Sequence, residues 1–152
     1  MDNNELIGEL NKILTLEHGH LGMYENFMSY KDKDVRRTFR HFMELEMEHV
    51  NKIQNILRNL GAKPSPLVEG GDIIGKMFGI TINIADEHAA LKAFKFIEEK
   101  SHEGYLKFTV KLEKENSNLL NYIAEEITSS NQLESYLQYL WLEDKLNVTR
   151  PS

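Results

Sequence analysis

Four glutamates, Glu17, Glu46, Glu98 and Glu126, each lie in the middle of a long stretch with helical periodicity. Each falls on the apolar face of its stretch, where a carboxylate is unfavourable to bury unless it is paired, protonated or bound to a cation. Four such groups at matching depth would repel one another strongly without a positive charge between them. Because carboxylate and imidazole ligands suit iron, manganese or zinc, the pattern predicts a pair of divalent metal ions.

Histidines accompany the first three of these glutamates at helical spacing. His49 follows the second glutamate at i+3 on the same face, and we interpret it as a metal ligand. His20 and His102 follow the first and third glutamates at i+3 and i+4, so each can share a face with its glutamate. We interpret these two as core histidines bonded to a carboxylate or carbonyl, with substitute ligation as the alternative. Three further histidines fall off the apolar faces and are predicted to lie on the surface: His18, His41 and His88.

The fourth glutamate has no histidine partner in any register. Glu126 is followed at i+3 by Ser129, and sliding the frame to Glu125 gives Thr128. No histidine occurs after His102. A serine hydroxyl is a poor substitute for imidazole, although water could fill the position.

The two halves of the chain resemble each other. The Glu-x6-Tyr pattern that ends at Tyr24 recurs, ending at Tyr105, and a phenylalanine follows each tyrosine by three residues. The next apolar-face glutamate comes 29 residues after the first and 28 residues after the third. A duplicated helical hairpin explains both coincidences. The two tyrosines are either core residues or donors to a ligating carboxylate, or redox-active phenols.

The elements that must position these residues are predicted to be four long helices, with no strand signal. Asp34 and Asp86 are predicted N-caps, and Gly61 is a predicted C-cap. A long connection covers 61–85 and contains a short helix near 72–78. The predicted helices run from Asn3 to Tyr30, from Asp34 to Gly61, from Asp86 to Glu115, and from the "NSN" at 116–118 to Leu146.

Each helix carries an apolar seam in which spacings of four and three residues alternate, as in a left-handed bundle. The seams define an all-α four-helix fold over a single domain, 1–152. Tyr136, Tyr139, Leu140 and Trp141 are predicted to form a hydrophobic end of the bundle or a dimer contact. The predicted seams are Leu6, Leu10, Ile13, Glu17, His20, Tyr24 and Phe27; Val35, Phe39, Phe42, Glu46, His49, Ile53, Ile56 and Leu60; Leu91, Phe94, Glu98, Ser101, Tyr105, Phe108 and Leu112; and Leu119, Ile123, Glu126, Ser130, Leu133, Leu137 and Leu140.

Composition excludes several other classes of protein. The formal charge of −6, without a basic run, argues against nucleic-acid binding. The absence of cysteine excludes disulfides, iron–sulfur clusters and thiolate zinc sites, and it fits a cytoplasmic location. No signal peptide or membrane-spanning run is visible, although contact with a membrane surface stays open.

This pattern resembles the ferritin-like di-iron carboxylate superfamily, in which two helices give one Glu each and two give Glu-x-x-His. Within it, "EMEHVNKIQNIL", "AKPSPL", "GKMFG" and "IEEKSHEGY" look like segments of the demethoxyubiquinone hydroxylase family. Rubrerythrin and bacterioferritin are less similar. This sequence departs from the pattern at Ser129, where the helix-4 histidine is missing.

The resemblance implies two irons, or one iron and a weak second site, with manganese or zinc as alternatives. One metal would take Glu17, Glu46 and His49, and the other would take Glu98 and Glu126. The resemblance also implies oxygen- or peroxide-dependent oxidoreductase chemistry on a small apolar substrate, and a homodimer by superfamily habit. Two alternatives stay open: a non-catalytic protein for metal storage or sensing, and a degenerate scaffold.

Overall fold

The structure, a computed structural model, describes residues 1–26, 32–65, 86–115 and 117–148, apart from the side chain of Glu126. Within these ranges the chain is helical and contains no strand, as the sequence predicts. The chain divides into unit 1, Met1–Gly79, and unit 2, Ile80–Ser152. The elements are α1 (Asn3–Asn26), α2 (Lys33–Asn59), α3 (Glu87–Glu113), α4 (Asn118–Ile123), a π-helical segment (Ala124–Thr128) and α5 (Ser129–Val148).

Unit 1 is a hairpin of α1 and α2, as the duplication predicts. The N-cap of α2 is Asp32, whose carboxylate accepts from the backbone N–H groups of Asp34 and Val35 at 2.9 and 3.2 Å. The predicted cap at Asp34 is therefore wrong. Asp34 lies inside the first turn of α2, and its own N–H is one of the two groups that Asp32 satisfies. The predicted end of the first helix, at residues 27–30, lies outside the described residues.

α2 ends at Asn59 with Leu60 as its C-cap, and the predicted Gly61 follows one residue later. Its φ of 75° is the left-handed conformation that favours glycine, and its N–H donates to the carbonyl of Arg58. Four residues later, the N–H and hydroxyl of Ser65 both donate to Asn11 Oδ1 at 2.9 and 3.0 Å, which fixes the chain against α1. The remainder of the predicted linker and its short helix lies outside the described residues.

The seams of unit 1 are largely as predicted. Leu14 is buried where Ile13 was expected, and Leu60 is only half buried. The surface prediction for His18 is wrong, since its side chain is 2% exposed. The predicted seam residues that are buried are Leu6, Leu10, Glu17, His20, Tyr24, Val35, Phe39, Phe42, Glu46, His49, Ile53 and Ile56.

Unit 2 packs α3 against α5. Asp86 caps α3 as predicted, accepting from the N–H of Ala89 at 3.1 Å. All seven predicted seam residues of α3 are buried. Ser117 is the N-cap of α4, so the predicted start of the fourth helix is also confirmed.

The fourth predicted helix is not continuous. In the π-helical segment the N–H of Ser129 donates to the carbonyl of Ala124, five residues earlier. A π turn holds one residue more than an α turn, so all residues after it are rotated relative to an uninterrupted helix. The periodicity of the residues before the segment therefore does not predict which face of α5 is buried.

The predicted seam of the fourth helix is wrong on both sides of this segment. Before it, Leu119 is 47% exposed and Leu120 is buried instead, so the register already differs by one residue, and the π turn changes it further in α5. Leu133 and Leu137 are 57% and 54% exposed, and Leu140 is exposed as well. Tyr136 is also exposed and stacks on Tyr139 with ring centroids 6.2 Å apart, so Tyr136 and Leu140 do not belong to a buried hydrophobic end, and the alternative of a dimer contact stays a prediction. The buried residues of α5 are Asn131, Ser135, Gln138, Leu142 and Leu146.

Candidate metal centre

Four buried side chains of unit 1 converge between α1 and α2. Glu17 and His20 lie one turn apart on α1, and Glu46 and His49 lie one turn apart on α2. All four are fully buried. Burial of two carboxylates and two imidazoles in one place needs compensation by charge or by hydrogen bonds.

The distances in this cluster are short. His49 Nδ1 lies 3.2 Å from Glu17 Oε2 and 3.2 Å from Glu46 Oε2. His20 Nδ1 lies 3.6 Å from Glu46 Oε1 and 3.9 Å from Glu17 Oε2. The structure therefore brings His20 to the same place as the three residues predicted to hold one metal.

The two carboxyl groups have opposite pKa shifts. Burial raises the pKa of Glu17 from 4.5 to about 7, and the charge and hydrogen bond of Glu46 act in the same direction, against the lowering effect of His49. Burial alone would also raise the pKa of Glu46. However, the hydrogen bond with Glu17 and the charges of His20 and His49 hold that pKa well below 4.5. Without a metal, the two carboxyl groups therefore share a proton.

The donor atoms fit a divalent cation. One ligand atom each from Glu17, Glu46 and His49 lies within 4.8 Å of the other two. Ligand atoms about 2.1 Å from a metal, at tetrahedral or octahedral angles, are about 3.0–3.4 Å apart, and the two distances of 3.2 Å at His49 fall in this range. A cation bound there would replace the shared proton as the compensating positive charge.

Tyr24 lies farther along the buried face of α1. Its ring meets Phe39 and Phe42 edge-on, with centroids 5.1 and 5.3 Å apart. These contacts explain its burial as aromatic packing. A role as a donor to a ligating carboxylate stays a prediction.

The two remaining predicted ligands, Glu98 and Glu126, both belong to unit 2. Glu98 is fully buried on α3. The backbone of Glu126 lies in the π-helical segment, and its side chain lies outside what the structure describes. Ligation by these two residues stays a prediction.

Each of the two substitute ligands of unit 2 has a backbone carbonyl beside it. The Ser129 hydroxyl donates to the carbonyl of Ala124 at 2.7 Å, within its own helix. His102 Nδ1 lies 3.4 Å from the carbonyl oxygen of Gln132, and the His102 ring lies against Tyr136 with centroids 4.9 Å apart. The contacts of His102 therefore join α3 to α5, whereas the Ser129 hydrogen bond stays within its own helix.

Sequence reasoning missed a set of buried polar residues in unit 2. Asn131 Nδ2 donates to the Tyr105 hydroxyl at 3.1 Å, and Thr109 Oγ1 donates to Thr128 Oγ1 at 2.6 Å. Ser135 and Gln138 are buried on the same face of α5 as Asn131. Asn131, Ser135 and Gln138 are spaced by four and three residues, as the buried face of a helix requires. Three leucines with the same kind of spacing indicated a different buried face: Leu133, Leu137 and Leu140.

No protein-family model and no curated protein sequence matches this chain. Among solved structures, it is similar to a crystal structure of ferritin-like, diiron-carboxylate proteins from Bacillus anthracis str. Ames. That match has a TM-score of 0.68 and 17% sequence identity, and it covers 93% of this chain and 99% of the other. The chain therefore has the all-α, ferritin-like helical-bundle fold.

Together, the fold and the carboxylate–histidine cluster define a ferritin-like chain with residues suited to a metal ion. At 17% identity the likeness shows the fold alone, and the demethoxyubiquinone hydroxylase assignment is not confirmed by it. Among the described helices, none is both long and apolar enough to cross a membrane.

Proposed function

We propose that this protein binds divalent metal, with iron as the physiological ion, and that Glu17, Glu46 and His49 hold the first ion. The observation that carries the proposal is the fully buried cluster of unit 1, in which His49 Nδ1 lies 3.2 Å from a carboxyl oxygen of Glu17 and 3.2 Å from one of Glu46. Such a cluster is unfavourable in a purely structural core, but it matches the charge of a divalent cation. His20 lies close enough to orient Glu46 or to add a ligand.

Iron is favoured over manganese and zinc by the fold likeness. The similar structure from Bacillus anthracis is a ferritin-like, diiron-carboxylate protein. Mixed oxygen and nitrogen ligands accept all three metals, so the ligand set alone does not select among them. Competition between Fe(II), Mn(II) and Zn(II) for the full chain tests the assignment.

We further propose that Glu98 and Glu126 hold a second, weaker ion. The sequence duplication supports this proposal, since Glu98 corresponds to Glu17 and Glu126 corresponds to Glu46. Because no histidine follows His102, the second site has oxygen ligands from the protein. Oxygen-only ligation with fewer protein donors predicts lower affinity for iron than at the first site.

A di-iron oxidoreductase of the demethoxyubiquinone hydroxylase type is the second candidate function. A bound iron pair would supply the electrons for reaction with dioxygen or peroxide. The linker segments "AKPSPL" and "GKMFG" support this candidate through the sequence alone. Fe(II)-dependent oxygen consumption that increases with a small quinol would support it, and its absence in the iron-loaded chain would leave a storage or sensing protein.

The metal content of natively purified protein is the decisive measurement. Two ions per chain would support both sites, and one would support the first site alone. No ion under any loading condition would refute metal binding and leave the degenerate scaffold. His49→Ala is expected to abolish the tight site, whereas His41→Ala, on the exposed face of the same helix, is the matched control and is expected to bind as wild type.

A further inference from the structure

Three contacts along unit 2 define how α3 pairs with the end of the π-helical segment and with α5. Thr109 meets Thr128 at 2.6 Å, Tyr105 meets Asn131 at 3.1 Å, and Lys95 meets Glu143 at 3.7 Å. As the residue number falls along α3, it rises along α5 by a similar amount. The two helices are therefore antiparallel, and a residue of α3 can be matched to the residue of α5 at the same level.

This register places two more polar pairs beside the Tyr105–Asn131 contact. Ser101 lies one turn before Tyr105, and Ser135 lies one turn after Asn131, so the two serines are at the same level. One turn farther along, Glu98 is level with Gln138. All of these side chains are buried. A row of polar pairs thus runs through the interior of unit 2.

Three oxygen atoms in this row have no hydrogen-bond partner among the residues that the structure describes. They are Ser101 Oγ, Asn131 Oδ1 and Ser135 Oγ. Their residues are at most 1% exposed, so bulk solvent does not satisfy them. Buried polar atoms in native proteins nearly always have a partner, which is either protein or ordered water.

We propose that Ser101, Asn131 and Ser135 together bind one ordered water molecule inside unit 2. A buried water typically makes about three hydrogen bonds, which is the number that these three oxygens require. Water also matches their chemistry, because it donates to the amide oxygen and can donate to or accept from each hydroxyl. A metal cation suits this set less well, because none of the three atoms carries a charge.

The water site connects two features of the candidate centre. Asn131 contacts the water through its carbonyl oxygen and the Tyr105 hydroxyl through its amide nitrogen. Ser101, on the other side of the water, lies one turn from Glu98. A hydrogen-bonded path thus leads from the Tyr105 phenol to the turn that carries Glu98. Its role beside a second metal rests on the proposed function, whereas the water site itself does not.

A double-mutant cycle on the metal-free full chain tests the site. Ser101→Ala and Ser135→Ala are each expected to lower the midpoint of thermal unfolding in EDTA, although alanine has the higher helix propensity. The double variant is expected to lose about as much as one single variant, because either substitution removes the shared water. Since no direct bond joins the two serines, this coupling reports the molecule between them.

A matched control uses a hydroxyl that already has a protein partner. Thr109→Val removes the bond to Thr128 and is expected to add independently to Ser101→Ala. The proposal is overturned if the serine variants raise the midpoint, which indicates a dry interior, or if their losses add.

A cation in place of water would give another outcome. If coupling between the serines is absent in EDTA and develops only with Mn(II), an ion holds the three oxygens and the water proposal is wrong. Because the decisive arm is metal-free, its result is independent of whether the wild-type chain binds iron, so failure of either proposal is recognised separately.

Discussion

In unit 1, the glutamate of α1 lies against two histidines and a second glutamate, whereas in unit 2 the corresponding glutamate of α3 shares its buried face with a serine and a tyrosine. Both units carry the Glu-x6-Tyr pattern. The duplicated pattern has thus kept its carboxylates, while the groups around them differ in charge. In unit 1 the buried carboxyl groups lie beside imidazoles of the same unit, whereas the buried polar residues of α5 in unit 2 are neutral.

The largest expected effect is the loss of metal affinity when Glu46 of unit 1 is replaced, compared with replacement of Glu98 of unit 2. Glu46→Ala is expected to weaken the tightest Fe(II) site by more than about 100-fold, because ligand loss exceeds the effect of losing a group that only orients a ligand. Glu98→Ala is expected to leave that affinity unchanged and to remove the weaker ion. Titration of the metal-free chain with Fe(II) under anaerobic conditions measures both. Glu44→Ala, exposed on α2, is the control; equal losses in Glu46→Ala and Glu98→Ala would contradict two unequal sites.

The next effect concerns the face of α5 that the π-helical segment turns inward. Leu142→Ala is expected to lower the free energy of unfolding by about 2–5 kcal/mol, because its side chain is fully buried. Leu137→Ala, which sequence periodicity places in the core, is expected to change it by less than about 0.5 kcal/mol. Denaturant unfolding measures both, and a larger loss for Leu137→Ala would show that α5 is turned the other way.

A third prediction uses the charge balance of unit 1. The pKa of Glu17 is raised from 4.5 to about 7 on folding, so its contribution to stability is complete below pH 4.5 and is lost as the pH rises through 7. Metal-free wild type is expected to lose up to about tenfold in the folding equilibrium constant per pH unit across this range. Glu17→Gln keeps a donor for Glu46 without titrating.

The measurement is the free energy of unfolding in EDTA between pH 4.5 and 8, compared for wild type and Glu17→Gln. The slope due to Glu17 is expected to be absent from the variant. Glu46 acts in the opposite sense: its lowered pKa gives stability above pH 4.5 that is lost on acidification, and this part is expected in both proteins. Identical slopes between pH 4.5 and 7 would contradict the shared proton.

The smallest expected effect is that of adding to unit 2 an imidazole like that of His49 in unit 1. Because the π turn adds one residue, Ser130 rather than Ser129 lies about one turn beyond the backbone of Glu126. Ser130→His is expected to tighten the second ion about tenfold. Ser129→His is the matched comparison and is expected to have little effect, since Ser129 is directed at its own helix. If only Ser129→His tightens binding of the second ion, the ligand position has the i+3 spacing of a regular α-helix and the prediction for Ser130 is wrong.

Much of the fold was predictable because it depends on local rules. The positions of α1, α2 and α3, the cap at Asp86, the left-handed glycine after α2 and the buried face of α3 follow from helical periodicity and terminal hydrogen bonds. The cap at Asp32 was missed because two aspartates, both good caps, lie two residues apart. Periodicity does not choose between them, whereas the hydrogen bonds do.

The candidate site was predictable to the extent that it lies within regular helices. The spacing of Glu46 and His49 on α2, and of Glu17 and His20 on α1, places each pair on one face whatever surrounds it. The structure brings these residues together, and their role as ligands stays a prediction. In α5, by contrast, the same reasoning placed leucines in the core and left Asn131 and Ser135 out.

The sequence by itself therefore determined that the chain is helical, that its halves repeat, and that buried carboxylates recur on the helix faces. These features depend on residues three or four positions apart, which a helix brings together by its own geometry. Only the tertiary structure decided that a π turn follows Ile123, that α5 presents polar residues inward, and that His18 is buried. Such choices depend on packing between helices, where one additional residue in a turn rotates every side chain that follows.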